Sequence, residues 1–169
     1  NVGIGNIATA NSVIATPSQQ TQTYAETRAV VNYLDSGDDG HYAPQSNPIW
    51  ANGNAENYVV EATGIVTIPA SGTWTFGVNS DDGFQLQVRA VGASVWTLVC
   101  SYDGGRGVAD TFGTTTLAAG DYEIRVMIYE GYGGSAGEAF AKPGTFGVWD
   151  SGFRLIGDTA TGGLAVRSI

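Results

Sequence analysis

The stretch from Gly72 to Val88, GTWTFGVNSDDGFQLQV, decides how the rest of the chain is read. Trp74, Phe76 and Val78 alternate with Thr73, Thr75 and Gly77, the period-two pattern of a half-buried strand. Phe84, Leu86 and Val88 alternate in the same way with Gln85, Gln87 and Arg89. Between the two runs lie Asn79, Ser80, Asp81, Asp82 and Gly83. The stretch predicts a strand, a tight acidic turn and a second strand, together an apolar-faced hairpin. Two adjacent carboxylates at such a turn repel each other unless a cation, a cationic side chain or water relieves them. The pair reads either as a solvated turn, where Asp and Asn are ordinary residues, or as a Ca²⁺ site. Ca²⁺ is a hard cation that takes carboxylate and backbone carbonyl oxygens together.

The flanking sequence continues the strand pattern. Tyr58 to Pro69 alternates through Val60, Ala62 and Ile68, and Pro69 ends it. Ala70-Ser71-Gly72 turns the chain into the organising stretch. Phe84 to Val88 is expected to pair with Val95 to Cys100, and Thr111 to Leu117 reads as a further strand. Asp121 to Glu130 has the clearest pattern, with Tyr122, Ile124, Val126 and Ile128 on one face. Gly131 to Gly137 is a loop of small residues plus Tyr132, Glu138 to Ala141 a short closing strand, and Gly144 to Ile156 adds a strand or two. Roughly eight to ten short strands, with turns about every ten residues, indicate an all-β sandwich or barrel.

The N-terminal third is less regular. Asn1 to Thr23 reads as a lead-in or linker, and Tyr24 to Leu34 as a strand. Asp35 to Tyr42 is a second acidic turn that fits neither the EF-hand spacing nor the Gly-rich Ca²⁺ repeat, so a solvated loop is expected. Ala43 to Asn57, with Pro44, Pro48 and Trp50, reads as a loop crossing between sheets. Trp74, Phe76, Trp96 and Trp149 are expected in the core, His41 on a surface loop, and Cys100 as a small buried hydrophobe.

Composition narrows the function classes. The 169 residues suggest one domain, 43% of them are hydrophobic, and 25 are glycine. The net charge is −9 and Lys142 is the sole lysine, so there is no basic patch for nucleic acid or for an anionic membrane surface. One cysteine precludes an intrachain disulfide and a zinc box. No apolar run is long enough for a membrane-spanning helix. The absence of an initiator Met and of a signal peptide suggests a processed protein or an excised domain. With a single His, a single Cys and no G-x-S-x-G, the chain presents no catalytic constellation, and adjacent carboxylates on one turn do not flank a glycosidic bond as hydrolysis requires. An enzyme is not expected.

Two blocks, GIVTIPASGTWTFGVNSDDG at Gly64–Gly83 and LAAGDYEIRVMIYEGYGGSA at Leu117–Ala136, in this order and spacing, resemble the protective-antigen-type (PA-fourteen) domain family. The resemblance spans residues 58–141. It implies a jelly-roll-like antiparallel β-sandwich with long loops at one end forming a metal and ligand site, the segment 143–169 being an extension or tail. The family's carbohydrate-binding members, adhesin modules among them, join a pair of Asp residues by a cis peptide, and both side chains hold one Ca²⁺. A second loop completes the shell, and sugar hydroxyls take the open positions. Carried onto this chain, the resemblance implies Asp81 and Asp82 as the pair, Glu130 as the side-chain ligand of the second loop, with Glu138 as a fallback, and the carbonyls of Tyr132 and Gly134 as backbone ligands. Ligand contacts are expected at Asp81, Asp82, Gly133 and Tyr132, the last reading either as a sugar contact or as a loop aromatic packed on the sandwich end. Asp103 and Arg106 read either as further contacts to sugar hydroxyls or as a surface hairpin turn with an incidental salt bridge. Between Val88 and Phe112 the chain departs from the family pattern, with a longer hairpin and a separate DGGRG loop. The expectation is a Ca²⁺-dependent carbohydrate-binding module of a secreted or cell-surface bacterial protein. It would bind mono- or oligosaccharide, with neither nucleic acid nor membrane insertion, within a larger multidomain chain. The alternative is a structural spacer whose loop Ca²⁺ merely stiffens.

Overall fold

The structure is a computed structural model that describes residues 3–46 and 55–169. Among these it contains one α-helix, α1 (Ile7–Ala15), a short 3-10 turn (Pro17–Gln19) and ten strands. The strands are β1 (Asn32–Ser36), β2 (Tyr58–Ile68), β3 (Gly72–Asp81), β4 (Gly83–Ala90), β5 (Thr97–Tyr102), β6 (Ala109–Leu117), β7 (Gly120–Glu130), β8 (Ser135–Pro143), β9 (Arg154–Leu155) and β10 (Val166–Arg167).

They form two antiparallel sheets, one ordered β1-β8-β3-β6 with β9 on β8, the other β10-β2-β7-β4-β5. The sheets pack as a sandwich, not a barrel. Its core is the alternating apolar set of the sequence: Trp74, Phe76 and Val78 of β3 meet Phe84, Leu86 and Val88 of β4 and Ile124, Val126 and Ile128 of β7. Each such residue, fully buried, stabilises the fold by roughly 1.5–3 kcal/mol before the cost of ordering the chain.

The organising stretch is not a hairpin. β3 pairs with β6 and β8, whereas β4 pairs with β5 and β7, so the chain leaves one sheet at Asp81 and enters the other at Gly83. A hairpin and an arch between sheets show the same period-two pattern, because each strand buries one face in either case. Asp82 is therefore the corner of an arch at one end of the sandwich. Gly83 is needed there: a Cβ would lie 2.2 Å from the Tyr129 hydroxyl.

The β4–β5 pairing and the β2, β6 and β7 strands form as the pattern indicates. Three regions differ. Residues 24–31 take no regular structure, and the strand expected there is confined to β1. The lead-in carries α1, begun by the Asn6 side chain, which accepts the Thr9 N–H at 2.8 Å. Ala10, with Ile7, Val13 and Ile14, packs on Met127, Tyr129, Ile4 and Val59, closing the outer face of the β2-β7-β4 region. β8 begins at Ser135, which shortens the expected loop to residues 131–134. The expected inter-sheet crossing at 43–57 lies largely outside the described residues.

Candidate metal centre

The corner at Asp82 meets the end of β7, and this brings three carboxylates together. Ligand oxygens of Asp81, Asp82 and Glu130 all lie within 4.8 Å of one another, and all three residues are buried. Asp81 and Asp82 are joined by a cis peptide, as the family resemblance implies. β3 delivers Asp81 at its end, the corner turns Asp82, and β7 delivers Glu130 from the facing sheet.

Asp82 is held by backbone. Its Oδ1 accepts the Arg106 N–H at 2.8 Å and its Oδ2 the Gly131 N–H at 3.0 Å. Its carbonyl accepts the Ser80 hydroxyl at 2.8 Å. Gly131 has no room for a side chain, since a Cβ would stand 2.8 Å from the Ile4 carbonyl oxygen and 3.4 Å from Asp82 Oδ2.

Glu130 is the opposite case. It has no solvent exposure, and neither carboxyl oxygen has a hydrogen-bond partner of good geometry. Burial first, then the charges of Asp82, Asp81 and Glu56, push its carboxyl up to about 8, offset slightly by the Asp82 backbone amide. Burial, followed by the Asp82 charge and hydrogen bond, pushes Asp81 up to about 7, with Arg106 opposing. Two buried carboxyls with this much ionisation cost form a site that a cation would relieve. The donors are all hard oxygens, without imidazole or thiolate. They suit Ca²⁺ or a similar hard cation and do not suit a soft one.

The other expected site residues are distributed around this centre. Tyr132 stands 72% exposed on the loop beside it. Gly133 adopts φ +110° and its carbonyl accepts the Ser36 hydroxyl at 3.3 Å. Gly134 comes so near Asp81 that a Cβ would lie 3.2 Å from its Oδ2. Of the two residues expected to reach sugar hydroxyls, Arg106 is turned inward, whereas Asp103 is exposed and engaged through one carboxylate oxygen. Asp103 Oδ1 accepts the Ile7 N–H at 2.7 Å, capping α1. The Arg106 guanidinium donates to the Ser80 carbonyl and hydroxyl and to the Thr111 hydroxyl, and stacks on the Tyr102 ring at 4.2 Å. Arg106 is a positioning residue for the Asp82 corner. Glu138 lies two residues further along β8 than Ala136, the register partner of Asp81, and is fully buried. It accepts the backbone N–H groups of His41 and Tyr42, both at 2.8 Å, so it anchors a loop instead of facing the centre or solvent.

The sequence reading missed the floor of the site. Tyr58 bonds Ser135 through their hydroxyls, and its phenol is raised by burial and by Asp35, Glu130 and Asp81. The expected solvated acidic turn is thus split: Asp38 and Asp39 are exposed, whereas Asp35 is buried at the end of β1. Trp96 and Trp149 lie outside the core, and His41 is half-buried against Trp149. Cys100 is buried as expected.

Comparison with known proteins bears on the whole arrangement. The family model described as "PA14 domain" matches residues 35–137. Among solved structures, a "PA14 sugar-binding domain from RTX adhesin" superposes with TM-score 0.58 at 16% identity, covering 91% of this chain and 85% of that one. A PA14 domain of the MpAFP antifreeze protein gives TM-score 0.57 at 15% identity, covering 92% and 85%. An anti-sigma factor domain-containing protein gives 0.57 at 18%, covering 79% of this chain and 40% of that one. No curated protein matches the chain. With the family model spanning more than half of its residues, this chain belongs to the PA14 domain family.

Proposed function

We propose that the chain is a carbohydrate-binding module whose sugar is held through Ca²⁺, without covalent chemistry. Asp81, Asp82 and Glu130 would hold the ion, with backbone carbonyls of the 131–134 loop as further donors, and sugar hydroxyls would complete its coordination. The observation that carries this reading is Glu130: a wholly buried carboxylate with no hydrogen bond of good geometry to either oxygen, facing two more carboxylates. Leaving such a group uncompensated costs several kcal/mol, and a divalent cation removes that cost. Family membership supports a sugar partner, since one superposing PA14 domain is described as sugar-binding. Tyr132 offers a ring face and a hydroxyl at the rim of the centre. We further propose an extracellular or cell-surface setting within a larger protein.

The engagement of the Arg106 guanidinium with Ser80 and Thr111 favours a second reading, a spacer in which the ion only fixes the corner. Glycan-array binding separates the two. The first reading expects signal with Ca²⁺ that vanishes with chelator and in Asp81→Ala, and that weakens in Tyr132→Ala while Ca²⁺ affinity holds. Sugar binding retained in Asp81→Ala would refute it, and silence across the array would favour the spacer.

A further inference from the structure

The outer face of the β1-β8-β3-β6 sheet carries a second organised region that the calcium reading leaves unused. The register places Glu138, Asn79 and Asp110 in one row across β8, β3 and β6, and Phe140, Gly77 and Phe112 in the next. Glu138 fixes the loop at His41 and Tyr42 through their amides. His41 Nε2 meets Asp110 at 2.8 Å and 3.0 Å, and Asn79 Nδ2 donates to the same carboxylate at 2.8 Å. On this fixed imidazole lies the Trp149 indole, parallel within 6° and 4.2 Å away between centroids. The indole N–H donates to the Tyr42 hydroxyl at 3.3 Å. One ring face and the polar edge of Trp149 are thus spoken for, and its orientation is set before any ligand arrives.

Beside it runs an open groove of about 610 Å³ between the edge strand β6 and residues 146–149. Asp110, Phe112, Thr114, Phe146, Val148 and Trp149 line it. We propose that this groove is a carbohydrate subsite that needs no calcium, with Trp149 as the platform for a pyranose ring. The composition selects that ligand class. Aromatic faces suit the apolar C–H face of a sugar. The Thr114 hydroxyl, exposed, and the remaining lone pairs of Asp110 can meet sugar hydroxyls. The nearest cation, Lys142, lies over the Phe146 ring at 3.9 Å and is already paired with Asp150, which disfavours an anion, and the groove's one carboxylate is already met by His41 and Asn79, which disfavours a cation. A neutral, polyhydroxylated ligand with an apolar face remains. The volume is within the usual range for small-molecule sites, roughly 300–1,000 Å³.

The groove shares no residue with the Asp81–Asp82–Glu130 centre, yet Asp110 pairs with Asn79, two residues or about 7 Å of strand from Asp81. A glycan of several residues, anchored at its end by the ion, would continue along this face.

The test is a ¹⁵N–¹H NMR titration of the full chain in excess chelator with maltohexaose, xylohexaose and mannohexaose at millimolar concentration. The proposal expects at least one of them to shift the Trp149 indole N–H and the Gly147 and Val148 amides. Binding should weaken on the order of tenfold in Trp149→Ala. Gly147→Leu should weaken it similarly by obstructing the groove, and this variant has room to fold because a Cβ there meets nothing within 4 Å. No shift at these residues with any of the three sugars overturns the proposal. So do shifts that persist unchanged in both variants, or shifts that occur only when Ca²⁺ is restored. Chelator removes the ion throughout, so loss of the calcium reading would leave these readouts intact.

Discussion

Glu130→Gln should make the metal-free protein more stable while weakening its grip on Ca²⁺. The carboxyl is pushed from 4.5 to about 8 by burial and by its acidic neighbours. A carboxyl with a raised folded value contributes fully below its unfolded value and loses that contribution as pH climbs towards the folded one. At pH 7 the gap of about 2.5 units between pH and the unfolded value corresponds to about 3 kcal/mol of cost. The end of the sandwich borders solvent, which reduces this to about 2 kcal/mol, or roughly 4–8 °C in Tm for a chain of this size. Gln keeps the shape and one carbonyl oxygen and discards the charge. Thermal unfolding in chelator should therefore show Glu130→Gln above wild type at pH 8, with the gap closing near pH 5. In Ca²⁺ the order should reverse, because one of three anionic donors is gone and affinity falls on the order of tenfold to a hundredfold. A metal-free variant no more stable than wild type at pH 8 would refute the reading of Glu130 as an uncompensated buried acid.

Three further outcomes follow from the same geometry. Ca²⁺ affinity should drop by roughly several hundredfold between pH 8 and pH 6, because Asp81 and Glu130, raised to about 7 and about 8, must lose protons to bind the ion, and flat affinity by calorimetry across that range would contradict this. Arg106→Ala removes three side-chain hydrogen bonds and a ring contact, which should cost about 2–4 kcal/mol in urea unfolding and loosen the amide that holds Asp82, so both stability and Ca²⁺ affinity should fall. Removing residues 1–20 uncovers Met127 and Tyr129, both without exposure in the structure, and should destabilise the sandwich by roughly 3–6 kcal/mol, whereas an unchanged urea midpoint would show that α1 is dispensable.

The sandwich was legible because each core strand buries one face, and alternation records that directly. The same alternation concealed the arch: Phe76 and Phe84 face each other across the sandwich, not along a hairpin, and period-two patterning is blind to which partner a strand takes. α1 was missed because nine residues that mix Ala with β-branched Ile, Val and Thr and with Asn and Ser carry little helical signal of their own, and the helix depends on packing over Met127 and Tyr129. At the centre, Asp81 and Asp82 were visible as an adjacent pair and Glu130 through the family pattern. The bonds of Asp103 to α1 and of Arg106 to Ser80 and Thr111 were not legible, because a polar residue in a glycine-rich loop looks the same in sequence whether it faces a ligand or caps a helix. Trp149 was assigned to the core on apolarity alone, although it lies on the outer face, held by His41.

The central claim, that Asp81, Asp82 and Glu130 form a metal site, is tested most directly by titrating chelator-stripped protein with Ca²⁺ in a calorimeter, alongside Asp81→Ala. The account predicts one-to-one binding in the wild type that is lost in the variant. Absence of binding in the wild type, or binding that survives in Asp81→Ala, would contradict it.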